Sequence, residues 1–503
     1  MNSFLNGLVD DNNFTNTENG GVTHNTTKSA VLDMFALGGA FRNRSDKDCI
    51  LLFKNAIEED ELLAMKCLFY LRDCRGGMGE RRFFRVCFRW LCENHLGVAK
   101  RNLDNVSNFG RWDDLIYSTV GTPAEYTAFS KIKEQLTLDV QSKTPSLLAK
   151  WMPSENASSR ETAKLGNKLR THLGLTHKEY RKLLSALRAK INIVERLMSE
   201  NRWDEIEFDK LPSKAGLIYK NAFARRDIIA KKYESFAKDA NTTVNADVLN
   251  PVDIAKKCFD YSNKTETDIA MLEKYWANLK DYYNGHEENG LCIVDTSGSM
   301  WGTPIAAAVS MGAYIAERGH GPFANHFITF SNNPTLVNFE GTDIVDKFER
   351  VRCRSDWGNS TNIEAVFDML LHTAKKDNVS PEDMPERLYI FSDMEFNYCV
   401  NINHNMGNIG ARYGYRSAVT TEDAISTELE KIAQKWAAEG YELPKVIFWN
   451  LDARQNNIPA LGGRFSYVSG FNMNMVETIL SGKDGYDLML AKLNSDRYSC
   501  VTI

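Results

Sequence analysis

Two patterns of apolar spacing meet near residue 284. From 29 to about 279, apolar residues recur at helical intervals through 51–71 and 83–91, and again at Tyr180, Leu183, Leu184, Leu187, Ile191, Val194 and Leu197. Such spacing lays one apolar stripe along each of a series of helices, and no alternating stretch interrupts them. The connections at 75–79, 121–122 and 153–158 are short and polar, as between antiparallel helix pairs. An all-α helical-repeat (HEAT-like) domain is therefore expected over 29–283, on helix density rather than on a residue repeat.

Beyond 284 the pattern changes. Short continuous apolar runs at 291–294, 326–331, 335–339, 387–393, 446–451 and 465–469 alternate with helical stretches at 343–348, 363–374, 424–438 and 473–480. Buried strands separated by helices predict a doubly wound parallel sheet, with 335–339 as an antiparallel edge, so the fold class expected is α + α/β. Residues 1–28 are rich in Asn, Thr and Gly and have little to bury, which predicts a mobile polar arm.

Charge separates the same two regions. The chain has 61 Lys+Arg and 66 Asp+Glu; residues 281–503 hold 18 and 29 of these, leaving 43 and 37 for residues 1–280. An acidic C-terminal part beside a basic N-terminal part suggests that the latter meets a polyanion. Composition otherwise describes an ordinary globular protein, with 25% charged and 43% hydrophobic residues. No apolar run approaches the roughly 20 residues that span a bilayer, and the N-terminus lacks the basic start of a signal peptide, so a cytoplasmic monomer with no membrane partner is expected. The cysteines form no CxxC pair and no zinc-type cluster, as in a reducing compartment.

The stretch LCIVDTSGSMWG at 291–302 carries the most chemistry. A strand there delivers Asp295, Ser297 and Ser299 into a turn, three oxygen donors at spacing two. Thr361, in the polar loop 358–362, offers another hydroxyl. The run RLYIFSD brings Asp393 to the end of a second strand, and ligands gather outside the carboxyl ends of parallel strands. Hard oxygen donors with two carboxylates suit Mg²⁺, or Mn²⁺.

These residues resemble the von Willebrand factor A (vWA) family and its metal-ion-dependent adhesion site, in which D-x-S-x-S is followed by a Thr and a later Asp. The resemblance implies a vWA-like domain over 284–503 and a metal set of Asp295, Ser297, Ser299, Thr361 and Asp393. Where that family often has Gly after the last Asp, this chain has Met394, then Glu395.

In the helical region, residues 160–236 hold 18 Lys+Arg against 10 Asp+Glu. Lys164, Lys168, Arg170 and His172, then His177, Lys178, Arg181, Lys182 and Arg188, fall on the polar sides of two successive helices and are expected to form a track for phosphates. Arg75, Arg81 and Arg82 flank a glycine-rich helix-to-helix elbow and extend the set. The segments LGLTHKEYRKLL and WDEIEFDKLPSK, placed ahead of DTSGSM, resemble the TROVE module of Ro-type RNA-binding proteins. The same order also resembles an uncharacterised family of phages, large viruses and plants.

The resemblance implies a non-catalytic ribonucleoprotein scaffold that holds a small structured or free-ended RNA on its helices, while an acidic side chain of a protein partner completes the metal shell. Tyr398, Arg412, Tyr413, Tyr415 and Arg416, in the polar loop 397–420, are candidate partner contacts. The alternative is a metal-dependent protein adaptor without RNA, in a cell or in viral assembly. Asp295 and Asp393 with Asp356 or Glu395 could instead activate water, as in a metal-dependent phosphoesterase. Mostly neutral ligands leave the metal seeking an acid rather than activating water, so no catalytic residue is assigned.

Overall fold

The computed structural model describes residues 12–191, 193–330, 333–354, 357–358, 360–398 and 426–503. Between residues 30 and 277 every described element is helical. The apolar run expected over 51–71 is split, because the Asp60 carboxylate accepts the Leu63 N–H at 2.8 Å and caps a new helix, Glu61–Arg72, immediately after Asp46–Glu59. The run around 176–198 likewise divides into His177–Ile191 and Val194–Ser199.

The elbow glycines sit between Glu61–Arg72 and Arg82–Asn94. A Cβ on Gly77 would lie 1.9 Å from the Tyr70 carbonyl oxygen, so only glycine lets the chain turn back so closely.

The first strands, β1 (Phe14–Asn16) and β2 (Val22–His24), form an antiparallel hairpin. The remaining strands are β3 (Gly290–Asp295), β4 (His326–Phe330), β5 (Thr335–Asn338), β6 (Arg387–Ser392), β7 (Lys445–Asn450) and β8 (Phe465–Ser469). They make one six-stranded sheet in the order β5-β4-β3-β6-β7-β8, parallel except for the β4–β5 edge pair. The fold is thus α-rich with a mostly parallel sheet. Each of the six strands of this sheet lies where an apolar run predicted it.

The helices at the start of the chain are bonded into the sheet. Ser469 Oγ at the end of β8 accepts the Gly39 N–H at 2.9 Å and donates to the Phe35 carbonyl at 2.9 Å. Arg497 and Tyr498 near the C-terminus bind Asp73, and Asn474 donates to the Gly77 carbonyl at 2.8 Å. The expected polar arm is also different from residue 12 onward. Its hairpin pairs backbone with Ile458 and Asn397, so the few polar residues of a short ribbon find partners on the sheet face rather than in water. Among the described residues no helix is long and apolar enough to cross a membrane.

Candidate metal centre and cationic surfaces

The chain leaves β3 toward β4 on one side of the sheet and β6 toward β7 on the other. The crevice outside the carboxyl ends of β3 and β6 is therefore the topological switch point, where parallel sheets collect ligands. Asp295 ends one strand and Asp393 follows the other, and both are buried.

Register does the local positioning. Val294 pairs with Phe391, which brings Asp295 level with Ser392, and Ser392 Oγ donates to Asp295 Oδ2 at 2.5 Å. Asp295 Oδ1 accepts the Ser297 N–H at 2.9 Å and closes the turn, leaving Ser297 Oγ 3.1 Å from Ser299 Oγ. The loop holding Thr361 packs on this turn through the Gly358 N–H, which donates to the Thr296 carbonyl at 3.0 Å. Thr361 is buried, with its Oγ1 3.5 Å from Asn19 Nδ2.

Met394 takes a left-handed backbone, φ 62°. This is the position where glycine would cost nothing, and a methionine there costs on the order of 1 kcal/mol. Met394 is nonetheless 1% exposed, and Ser392 Oγ accepts its N–H at 3.0 Å, so packing and one bond hold the turn that aims Asp393.

Burial first, and the nearby Asp393 second, raise the Asp295 carboxyl to about 7. Burial is also the main reason that Glu395 is raised to about 7, and its Oε1 has no hydrogen-bond partner among the described residues. Among the described residues, one cation answers these acids. Arg454, just beyond β7, pairs with Asp393 and, at 2.8 Å, with Glu18 of the hairpin tip.

The tip fastens at three further points. The Glu18 N–H donates to Glu395 Oε2 at 2.7 Å, Thr17 Oγ1 to the Phe396 carbonyl at 2.6 Å and Asn19 Nδ2 to the Glu395 carbonyl at 2.5 Å.

Does this set fit a divalent cation? Among the described residues no three His, Cys, Asp or Glu side chains group as a metal cluster, so any cation here would depend on hydroxyl donors. Asp295 and Asp393 have one cation, Arg454, between them among the described residues, and the Ser297 and Ser299 hydroxyls stand beside Asp295, with Thr361 on the loop packed against the same turn. Hard oxygens around an under-neutralised carboxylate pair fit Mg²⁺ or Mn²⁺.

Residues 17–119 and 146–282 match the family described as Domain of unknown function (DUF2828), and residues 289–496 match Domain of unknown function (DUF7788). "Uncharacterized protein L728" of Acanthamoeba polyphaga mimivirus is 30% identical over 522 residues, which are 94% of this chain and 85% of the viral protein. The chain belongs to the family of that viral protein. The two domain matches meet between 282 and 289, where helices give way to β3, and the site draws on both: Glu18 and Asn19 from one, Asp295 to Arg454 from the other.

The expected basic track is less open than its sequence suggested. Glu155 binds both Arg170 and His177 at 2.8 Å, and Glu125 binds Lys168 at 2.5 Å. Arg188 donates to the Ala149 and Met152 carbonyls at 2.9 Å and holds a loop. His172 is packed edge-on against Tyr126 and Phe129. Arg181 is exposed and donates to the His177 carbonyl at 3.2 Å. Lys164, Lys178 and Lys182 remain exposed on the two helices Arg160–Leu173 and His177–Ile191.

At the elbow, Arg82 pairs with Asp46 at 2.5 Å, Arg75 is exposed and donates to the Asn108 carbonyl at 3.2 Å, and Arg81 is exposed. The neighbouring Arg72 is buried against Asp114 at 2.6 Å.

Arg81 instead joins a different group. A cavity of about 1010 Å³ between the helices and the sheet is lined by seven Lys/Arg, among them Arg81, Arg111, Lys150 and Lys256, against three acids. Apart from Arg81, sequence reasoning missed these, because they come from segments far apart in the chain. Arg454 could have been found by extending the strand-end rule to the run VIFWNLDAR; Glu18 and Asn19 left no signal. Of the candidate partner loop, Tyr398 is exposed beside Lys431, while Arg412, Tyr413, Tyr415 and Arg416 lie outside the described residues, as does Asp356.

Proposed function

We propose that the protein is a non-catalytic RNA-binding scaffold with a divalent-cation site, a vWA-like domain joined to a TROVE-like, HEAT-like helical array. The observation that carries the RNA reading is the cation-lined cavity: seven Lys/Arg line one concavity against three acids in a chain whose net charge is −5, although Arg42, Arg72, Arg111, Lys150 and Lys214 pair with Glu80, Asp114, Asp113, Glu195 and Asp253. That local excess opposes the average and suits phosphates. Lys164, Lys178 and Lys182 extend the positive surface outward. Asp295, Ser297, Ser299, Thr361 and Asp393 would hold Mg²⁺ or Mn²⁺, and the mostly neutral donors would leave it able to take one more acid.

Filter binding of RNA across a salt series tests the proposal. Phosphate contacts make log affinity fall steeply with log salt, and reversing Arg81, Arg111 and Lys150 to Glu should flatten the slope by about 0.9 per lost contact. A flat wild-type slope, or no binding, removes the RNA reading.

One observation favours the second reading, a metal-dependent protein adaptor. The hairpin already brings an acid, Glu18, to the metal face in cis, which is what an acidic partner would do in trans. That reading predicts EDTA-sensitive capture of a protein and weak dependence on salt.

A further inference from the structure

Next to the candidate metal turn lies a second concavity of about 1030 Å³ that the RNA reading did not use. It opens between the helical segments around 217 and 256–261 and the residues that follow the turn directly, Trp301 to Ala306. Trp301 is 69% exposed and Tyr261 80% exposed. Phe259 and Trp357 also line it, edge to face with their ring centroids 5.8 Å apart. Large flat rings left so open in water need a partner with flat faces of its own.

Cations are interleaved with those rings. Lys256, Lys257 and Arg352 line the cleft, and the Arg352 guanidinium sits 4.8 Å from the centre of the Tyr261 ring. Arg352 Nη1 and Trp357 Nε1 have no hydrogen-bond partner among the described residues. Lys214, Asp253, Lys256 and Thr303 also line the cation-rich cavity, so the two concavities adjoin.

We propose that this cleft binds single-stranded RNA, with bases stacked on Trp301 and Tyr261 and the backbone running past Lys256, Lys257 and Arg352 into the cavity. The inference rests on the RNA reading above and names the form of the RNA and its path. Stacking faces beside cations select a single strand, because unpaired bases expose π-faces that a duplex hides. A strand end lying here would also pass beside the metal turn, two residues from Ser299.

The test is fluorescence anisotropy with a labelled oligouridylate, an RNA duplex of equal length and the matching DNA oligonucleotide, on the full chain and on Trp301→Ala and Tyr261→Ala. The single strand should bind at least about tenfold tighter than the duplex. Each variant should weaken single-strand binding by about tenfold, within the range for losing one base stack, and leave duplex binding unchanged. Oligouridylate should quench tryptophan fluorescence in the wild type and less in Trp301→Ala.

Equal binding of single strand and duplex, with both variants unaffected, overturns the cleft and leaves the RNA reading standing. Absence of all RNA binding removes both. Equal affinity for the DNA overturns the assignment to RNA, and a dimer that the two substitutions dissociate would give the cleft to a second copy instead. Tyr261 is too exposed for its loss to disturb the core, so a folding defect in Trp301→Ala does not protect the proposal.

Discussion

In the sheet, Asp295, Ser297, Thr361 and Asp393 come from three separate segments, yet register and a few backbone bonds bring them to one crevice. In the helices, Lys164 to Arg188 lie on two adjacent helices, yet Glu125 and Glu155 pair with Lys168, Arg170 and His177, and backbone carbonyls hold Arg188. The first set consists of acids with too few cations, the second of cations with acids supplied. Unmet charge, rather than charge alone, distinguishes a candidate site from a structural network.

The largest effect should come from attacking such a network. Asp114 is buried, and both Arg72, at 2.6 Å, and Arg85, at 2.7 Å, rest on it. Asp114→Ala leaves a buried guanidinium unpaired, and removing one partner of a buried pair costs about 3–5 kcal/mol. Urea unfolding should show that loss. An unchanged midpoint would mean that the elbow arginines are free for ligand, which would erase the contrast between the two regions.

Next in size is the cation site itself. Asp295→Asn removes one ligand charge and keeps the shape, so Mg²⁺ and Mn²⁺ affinity should fall by more than about a hundredfold, beyond the scale of outer-shell substitutions. Because Asp295 and Asp393 repel, the metal-free variant should be no less stable than the parent. Isothermal titration calorimetry and a thermal shift with added Mg²⁺ read the two halves of this expectation. Identical titrations for parent and variant would remove the site.

How far was this legible in the sequence? Five strands of the sheet could be read because they are buried on both faces and therefore apolar at nearly every position, as in VIFWN and RLYIFS, while the edge strand β5 is partly exposed. The placement of Asp295 and Asp393 in one crevice followed from where two of those strands end. The helix break at Asp60 was hidden because apolar periodicity continues across it, and only the cap reveals the change of axis. The hairpin of residues 14–24 was read as an arm, since its bonds go to Glu395, Phe396 and Glu430, far along the chain. The ion pairs within the basic track were hidden for a related reason: spacing along a helix shows which face is charged but not that Glu155, from a loop, will sit against it.

A smaller effect sharpens the picture at the metal face. Arg454 pairs with Asp393 and so stands in part where a divalent cation would act. Arg454→Met keeps the apolar stem and removes the competing charge. Mg²⁺ should then bind about tenfold tighter, roughly the 1.4 kcal/mol of one close like-charge contact screened by water. Weaker binding in calorimetry would show that the arginine positions Asp393 more than it competes.

The smallest expected effect is the most telling about how the two regions are coupled. On the proposed reading, RNA held by the cavity cations would touch none of Asp295, Ser297, Ser299, Thr361 or Asp393, so EDTA and Asp393→Ala should change RNA affinity by less than about twofold, while capture of an acidic protein partner should be lost. Thermodynamic coupling is reciprocal: any factor by which the metal changes RNA affinity is the factor by which RNA changes metal affinity. Trp301 and Gly302 follow the turn of Ser297 and Ser299 directly, which makes this turn a physical route by which the two could communicate. Filter binding in Mg²⁺ and in EDTA, paired with Mg²⁺ calorimetry with and without oligouridylate, measures both sides of the cycle. Matching shifts of tenfold or more in both would mean that the metal belongs to the RNA site, and a scaffold with two independent faces would no longer describe this protein.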